Sequence, residues 1–198
     1  LARHSRKALT VQVILSNFMI MAGHSKWKQI KDKKGVTDKK RSQVFSKILA
    51  AVSWSAKTDP NPSTNLRLKG LISKAKELKV PQDNIERAIK NTQGKILEEM
   101  LFEAYGPGGS AFIIKAITDS KNRTTNEIRA ILKEFNSAIA ESGSVQWAFN
   151  NDTPKFPLKL EDDDLEKALN MISDLDDQED VQKVTTNIEK IDEIMSEE

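Results

Sequence analysis

The chain has 198 residues, a formal net charge of +2, no cysteine and two histidines. That length suits one or two domains with a real core. The lack of cysteine excludes disulfides, thiolate catalysis and cysteine-based zinc sites, and a histidine base could come only from His4 or from His24, which stands among lysines. The small net charge hides a gradient. Residues 1–95 carry 21 Lys+Arg against 6 Asp+Glu, residues 96–150 carry 5 against 7, and residues 151–198 carry 5 against 16. A chain basic at one end and acidic at the other predicts a polyanion partner for the basic part, with the acidic end limiting indiscriminate binding.

Residues 1–20, LARHSRKALTVQVILSNFMI, contain Arg3, Arg6 and Lys7, several hydroxyls and no acid, and they precede a Met-Ala-Gly-His block at 21–24 that reads like an original start. Gln12, Ser16 and Asn17 interrupt the apolar residues too often for a secretory core or a membrane anchor. Basic, hydroxylated and acid-free composition predicts a mitochondrial transit peptide and hence a matrix location, with an ordinary N-terminal extension as the alternative. The segment 21–95 is expected to be a basic helical domain. It opens with KWKQIKDKKGVTDKKRSQVFSK (26–47), which is rich in lysine. Helical apolar spacing begins at Val44, Phe45, Ile48, Leu49 and Val52. TDPNPSTN (58–65) reads as a loop. A second helix follows, capped by Thr64 or Asn65, with Leu68, Leu71, Ile72, Ala75 and Leu78 on one stripe. Pro81 opens a third helix, in which Asp83 suits the positive end of the dipole.

Residues 96–150 predict an α+β domain. MLFEAY (100–105) and SAFIIKAIT (110–118) read as strands around a Gly-Pro-Gly-Gly turn, TNEIRAILKEF (125–135) as a helix capped by Thr124 or Thr125, and SVQWAFN (144–150) as a strand. Residues 151–198 predict an acidic α+β domain: FPLKLE as strand, DDDLEKALNMISDL as helix and VQKVTTNI as strand. A strand-helix-strand piece of that size has little core of its own. Either it borrows partners from the preceding layer or its domain is incomplete in this sequence.

Three motifs invite chemistry. The Gly-Pro-Gly-Gly turn lacks the Gly-Lys-Ser/Thr of a phosphate loop and reads as structural. Asp174, Asp176, Asp177, Glu179 and Asp180 lack the central glycine and spacing of a calcium loop, so a solvated helix end is the simpler reading and no metal or cofactor is expected. The one-sided cluster Lys26, Lys28, Lys31, Lys33, Lys34, Lys39, Lys40, Arg41 and Lys47 predicts salt-sensitive phosphate contacts, with Trp27 either stacking on an unpaired base or anchoring in the helical domain. Lys121 and Arg123, leading into a helix N-terminus, could hold a phosphate, although capping explains the polar residues there equally well.

MAGHSKWKQIKDKKGVTDKKRSQVFSKI, KELKVPQDNIERAIKN, EAYGPGGSAFII, TDSKNRTTNEIRAILK and DLDDQEDVQKVTTNIE occur in one order along residues 21 to about 190. Together they resemble the YebC family, whose mitochondrial branch includes translational activators of cytochrome c oxidase subunit I. The resemblance implies an all-helical first domain, two closely packed α+β domains and no enzymatic activity. It implies a role in translation through the mitochondrial ribosome, ribosomal RNA or messenger RNA, or alternatively DNA binding in transcriptional regulation, with neither membrane insertion nor a small-molecule substrate. The stretches 94–98 and 150–157 are shorter than the family pattern, which predicts residues missing at both points.

Overall fold

A computed structural model of the chain describes residues 38–90 and 96–189. The leader 1–20 and most of the basic segment 26–47 therefore lie outside the described residues.

The first helix, α1 (Asp38–Thr58), starts before the apolar stripe does, on charged residues, and buries Ile48, Ala51, Val52 and Ala56 at helical spacing. Pro60 disfavours helical backbone at Asp59 and stops it. Asn65 then joins two helices. Its side-chain oxygen accepts from the Leu68 N–H at 2.9 Å, capping α2 (Leu66–Glu77), while its amide donates to the carbonyls of Ser55 and Asp59 at 2.9 and 2.8 Å. One side chain thus serves the orphan donors of one helix and the loose carbonyls of another. Lys79, at φ 60°, closes the end of α2 so that the Val80 N–H reaches the Ala75 carbonyl at 3.0 Å, and α3 (Gln82–Lys90) follows Pro81. The three helices close over Val52, Ala56, Leu68, Ala75, Val80 and Ile85.

Strands β1 (Glu98–Tyr105) and β2 (Ala111–Thr118) pair antiparallel in full register, Glu98 opposite Thr118 and Tyr105 opposite Ala111. Pro107–Gly109 makes a single 3-10 turn between them. Gly108 lies at φ +62°, and a Cβ there would stand 2.6 Å from Leu160 Cδ2, so this glycine is required by backbone and by neighbour alike. The turn is structural, as its sequence implies. Next come α4 (Lys121–Glu134), a two-residue strand β3 (Ala138–Ile139), a hairpin of β4 (Phe149–Asn150) with β5 (Thr153–Pro154), α5 (Asp162–Asp177) and β6 (Val181–Thr186).

The main sheet has the order β3-β1-β2-β6, every neighbour antiparallel. Helices α4 and α5 cover one face, where Phe102, Phe112 and Ile114 meet Ile128, Leu132, Met171 and Leu175. The fold is a helical N-terminal region followed by an α+β region. The division expected at 150/151 does not separate two sheets: α5 and β6 of the acidic stretch complete the sheet begun by β1 and β2, borrowing the partners they lack. The chain passes from 150 to 153 through a tight hairpin with Asn151 at φ 57°.

Two strand expectations are corrected. Most of SVQWAFN turns instead of extending, because the N–H groups of Gly143 and Val145 go to the Glu103 carboxylate and not to a ladder; residues Gln146–Ala148 form a 3-10 turn. FPLKLE contributes only the bridge of Leu158 with Ile188. The helix after β2 also begins earlier than expected, at Lys121 with Ser120 as its cap residue, which places Thr124 and Thr125 inside it.

Candidate nucleic-acid interface

Of the basic residues singled out by sequence, Lys26, Lys28, Lys31, Lys33 and Lys34 lie outside the described residues, as do Trp27 and His24; Lys39 is helical, but its side chain is not described. Lys40, Arg41, Lys47, Lys121 and Arg123 can be placed.

The structure brings Lys40 and Lys47 against the C-terminal end of α5. Lys40 Nζ stands 3.4 Å from an Asp177 oxygen, and Lys47 Nζ donates to the Asp176 carbonyl. Asp174, Asp176 and Asp177 sit at the negative end of the α5 dipole, where like charge is unfavourable, and the two lysines of α1 offset it. Burial dominates this contact. It pushes Asp176 up to about 6, against the opposing pull of Lys47, and it pushes Lys47 down despite the surrounding carboxylates. The acidic cluster is therefore not merely a solvated helix end; it is where the basic helix docks. Arg41 lies over the Phe45 ring at 5.3 Å and is exposed.

Lys121 and Arg123 meet carboxylates as well. Lys121 bridges Glu98 at 2.5 Å, and Arg123 holds both oxygens of Asp180 at 3.1 and 2.9 Å and Asp119 at 3.1 Å. The Asp180 hydrogen bonds raise Arg123 further above its ordinary value. Thr124 Oγ1 donates to Asp180 at 2.6 Å in the first turn of α4, so the chain's own carboxylate occupies the helix start suggested for a phosphate. Both cations remain about half exposed, and exposed pairs of this kind contribute only about 0–1 kcal/mol, so a polyanion can compete for them.

The cations without such partners lie elsewhere. Lys57, Lys69, Lys76, Lys79 and Lys90 are exposed on the helical region, and among the described residues none bridges a carboxylate. Lys69 and Lys76 flank a shallow, open depression between α2 and α3, floored by Ile72, Ile85 and Ile89. Arg67 ties this region to the sheet, stacking 4.7 Å over Trp54 and bridging Glu99 at 2.8 Å. Sequence marked residues 21–95 as a basic helical domain, but it could not show that Lys69, Lys76 and Lys79 stay exposed with no carboxylate bridge among the described residues while Lys47 is half-buried.

No group of three or more His, Asp or Glu converges as a metal site among the described residues. No helix among them is long and apolar enough to cross a membrane.

Comparison with known proteins fits this geometry of a basic helical unit set on an α+β layer. Residues 25–95 match the family model described as the TACO1/YebC protein N-terminal domain, and residues 97–153 match the TACO1/YebC second and third domain. Probable transcriptional regulatory proteins from Trichlorobacter lovleyi and Petrotoga mobilis are 44% and 45% identical over 66% and 65% of the chain. Those matches span 55% and 53% of the relatives' own lengths, little more than half. One from Geotalea uraniireducens is 40% identical over 84% of the chain and 71% of its own length. Among solved structures, a conserved hypothetical protein, Aq1575 from Aquifex aeolicus, superposes with a TM-score of 0.73 at 26% identity, covering 83% of this chain and 97% of that one. The two family models follow one another along the chain and together cover the helical region and most of the sheet that follows it. The chain belongs to the TACO1/YebC family.

Proposed function

We propose that the chain is a non-enzymatic regulatory factor that binds nucleic acid through its helical region, and that its target is RNA of the mitochondrial translation machinery, ribosomal or messenger. The observation that carries the binding is the set of exposed lysines on that region that bridge no carboxylate among the described residues, Lys57, Lys69, Lys76, Lys79 and Lys90, continuing a sequence segment that is itself lysine-rich. Each lysine that meets a phosphate releases counterions, giving sequence-blind and salt-dependent affinity. The acid-free leader 1–20 supports an organelle address, and an organelle with its own ribosomes favours RNA. DNA binding in transcriptional regulation is the second reading, favoured by the names of the bacterial relatives. Phosphate contacts do not distinguish the two.

Binding of the full chain to labelled RNA and DNA across a salt series tests the first step. Changing Lys69, Lys76, Lys79 and Lys90 together to Gln is expected to weaken binding and to flatten the dependence of log K on log salt, by roughly 0.7–0.9 for each phosphate that a lysine no longer neutralises. An unchanged slope would remove the helical region as the interface. Crosslinking in organelles followed by sequencing of the bound nucleic acid separates RNA from DNA.

A further inference from the structure

Trp147 and Phe156 are large aromatic residues at 57% and 50% exposure on the face of the sheet opposite α4 and α5, and their ring centroids lie 5.8 Å apart with planes tilted by 39°. Single exposed aromatics are ordinary, but a touching pair standing on a fixed backbone is not. The turn bearing Trp147 is held by Glu103, which is 2% exposed and accepts from the Gly143 N–H at 2.7 Å, the Val145 N–H at 2.9 Å and the Gln146 side-chain amide at 2.7 Å. Phe156 is fixed through its carbonyl, which accepts from the buried Asn187 amide at 3.0 Å, while Asn187 in turn accepts from the Ala111 N–H at 2.8 Å. The Lys155 N–H reaches the Ala148 carbonyl at 2.8 Å and links the two segments directly.

The charges around this pair differ from those nearby. On the same face Lys115 and Lys183 are both neutralised by Asp152, at 2.7 and 2.9 Å. Lys155 places its ammonium 5.1 Å from the Phe156 centroid, and Lys159 is exposed two residues beyond Pro157; neither bridges a carboxylate among the described residues. Two exposed rings on a hydrogen-bonded backbone and two cations without a carboxylate partner among the described residues complement a flat, π-faced group carried on a polyanionic backbone.

We propose that Trp147, Phe156, Lys155 and Lys159 form a subsite for an unpaired stretch of nucleic acid, one base stacking on the exposed Trp147 ring and neighbouring phosphates meeting the two lysines. This rests on the nucleic-acid reading above and adds to it a preference for single strands. Because the backbone that carries the rings is already tied down, no loop has to be ordered for them to stack. A duplex hides its base faces and gains nothing from the rings.

The test is fluorescence anisotropy of the full chain with a labelled single-stranded oligoribonucleotide and with an RNA duplex carrying the same number of phosphates. The double variant Trp147→Ala/Phe156→Ala is expected to bind the single strand about tenfold more weakly, while duplex affinity stays within about twofold. Trp147→Phe is expected to keep most of the single-strand affinity, and Lys155→Gln/Lys159→Gln to flatten its salt dependence. Circular dichroism and melting of each variant confirm the fold, which these exposed positions leave intact. If the double variant binds the single strand as the parent does, the subsite is refuted while the nucleic-acid reading stands. If the parent binds neither strand form, both fall. If removing the rings abolishes self-association in sedimentation and leaves RNA affinity unchanged, the patch belongs to a second copy of the chain and the inference is overturned.

Discussion

The helical region and the α+β layer handle polar side chains in opposite ways. In the helical region Lys69 and Lys76 of α2 and Lys90 of α3 are exposed and bridge no carboxylate among the described residues, and the polar work is done at helix ends, by Asn65 above all. In the α+β layer polar groups are drawn inside or bridged: Glu103 and Asn187 are buried with their partners, Asp152 holds two lysines and Asp180 holds Arg123. Several of the layer's charged groups are thus neutralised by its own chain. The helical region presents charge that no carboxylate among the described residues neutralises, as an interface for a polyanion requires.

The sharpest way to break this contrast is to remove the layer's internal anchor. Glu103→Ala leaves the Gly143 and Val145 N–H groups without their acceptor, and Val145 is fully buried. Chemical unfolding is expected to show a loss of about 2–3 kcal/mol. Burial works to raise Glu103, but its N–H donors overcome that and hold it below its ordinary value, so the anchor stays ionised well into the acid range. Hydrogen exchange at Val145 is expected to accelerate while the helical region keeps its protection. Equal acceleration in both regions would mean that they unfold as one unit.

A second substitution acts where the two regions touch. The folded value of Asp176, raised to about 6, exceeds the ordinary value of 3.8, so the folded state binds the extra proton. Its contribution to stability is fully present below about pH 4 and is lost as pH rises through about 6. Asp176→Asn lacks that loss. The difference between parent and variant stability is expected to change between pH 4 and pH 6, leaving the variant more stable at pH 8 by about 1–3 kcal/mol. A parent more stable than the variant at pH 8 would show that attraction to Lys47 outweighs burial, and the contact would then be a true electrostatic clamp.

Sequence made some of this legible and hid the rest for physical reasons. The three N-terminal helices, the β1–β2 pair, α4 and α5 all followed from apolar periodicity and from Pro60, Asn65, Pro81 and Gly108, because those signals are local. The pairing of β6 with β2 was not readable, since nothing local says which strand a short VQKVTT run will join. The anchoring by Glu103 was equally invisible: its carboxylate and the donors it serves lie about forty residues apart in the chain. The same distance problem applies to charge. Counting lysines marked Lys40, Lys47, Lys121 and Arg123 as candidates, yet each meets an acidic residue, and for Lys47, Lys40 and Arg123 that partner stands in the acidic stretch at the other end of the sequence.

The smallest effect on stability comes from the residues that matter most to the contrast. Lys69, Lys76, Lys79 and Lys90 are exposed and bridge no carboxylate among the described residues, so changing them to Gln removes no ion pair that folding makes. Surface substitutions away from such pairs stay within about 0.5 kcal/mol, and relief of mutual repulsion on a basic surface pushes the sign toward a slight gain. The midpoint of thermal unfolding is therefore expected to hold or rise by a few degrees at low salt and to converge with the parent at high salt, where screening removes the repulsion. A clear loss of stability would show that these lysines are structural after all. A neutral or favourable change, together with weakened nucleic-acid binding by the same variant, would separate folding from function on one surface: cations that the fold does not need are retained for a partner that does.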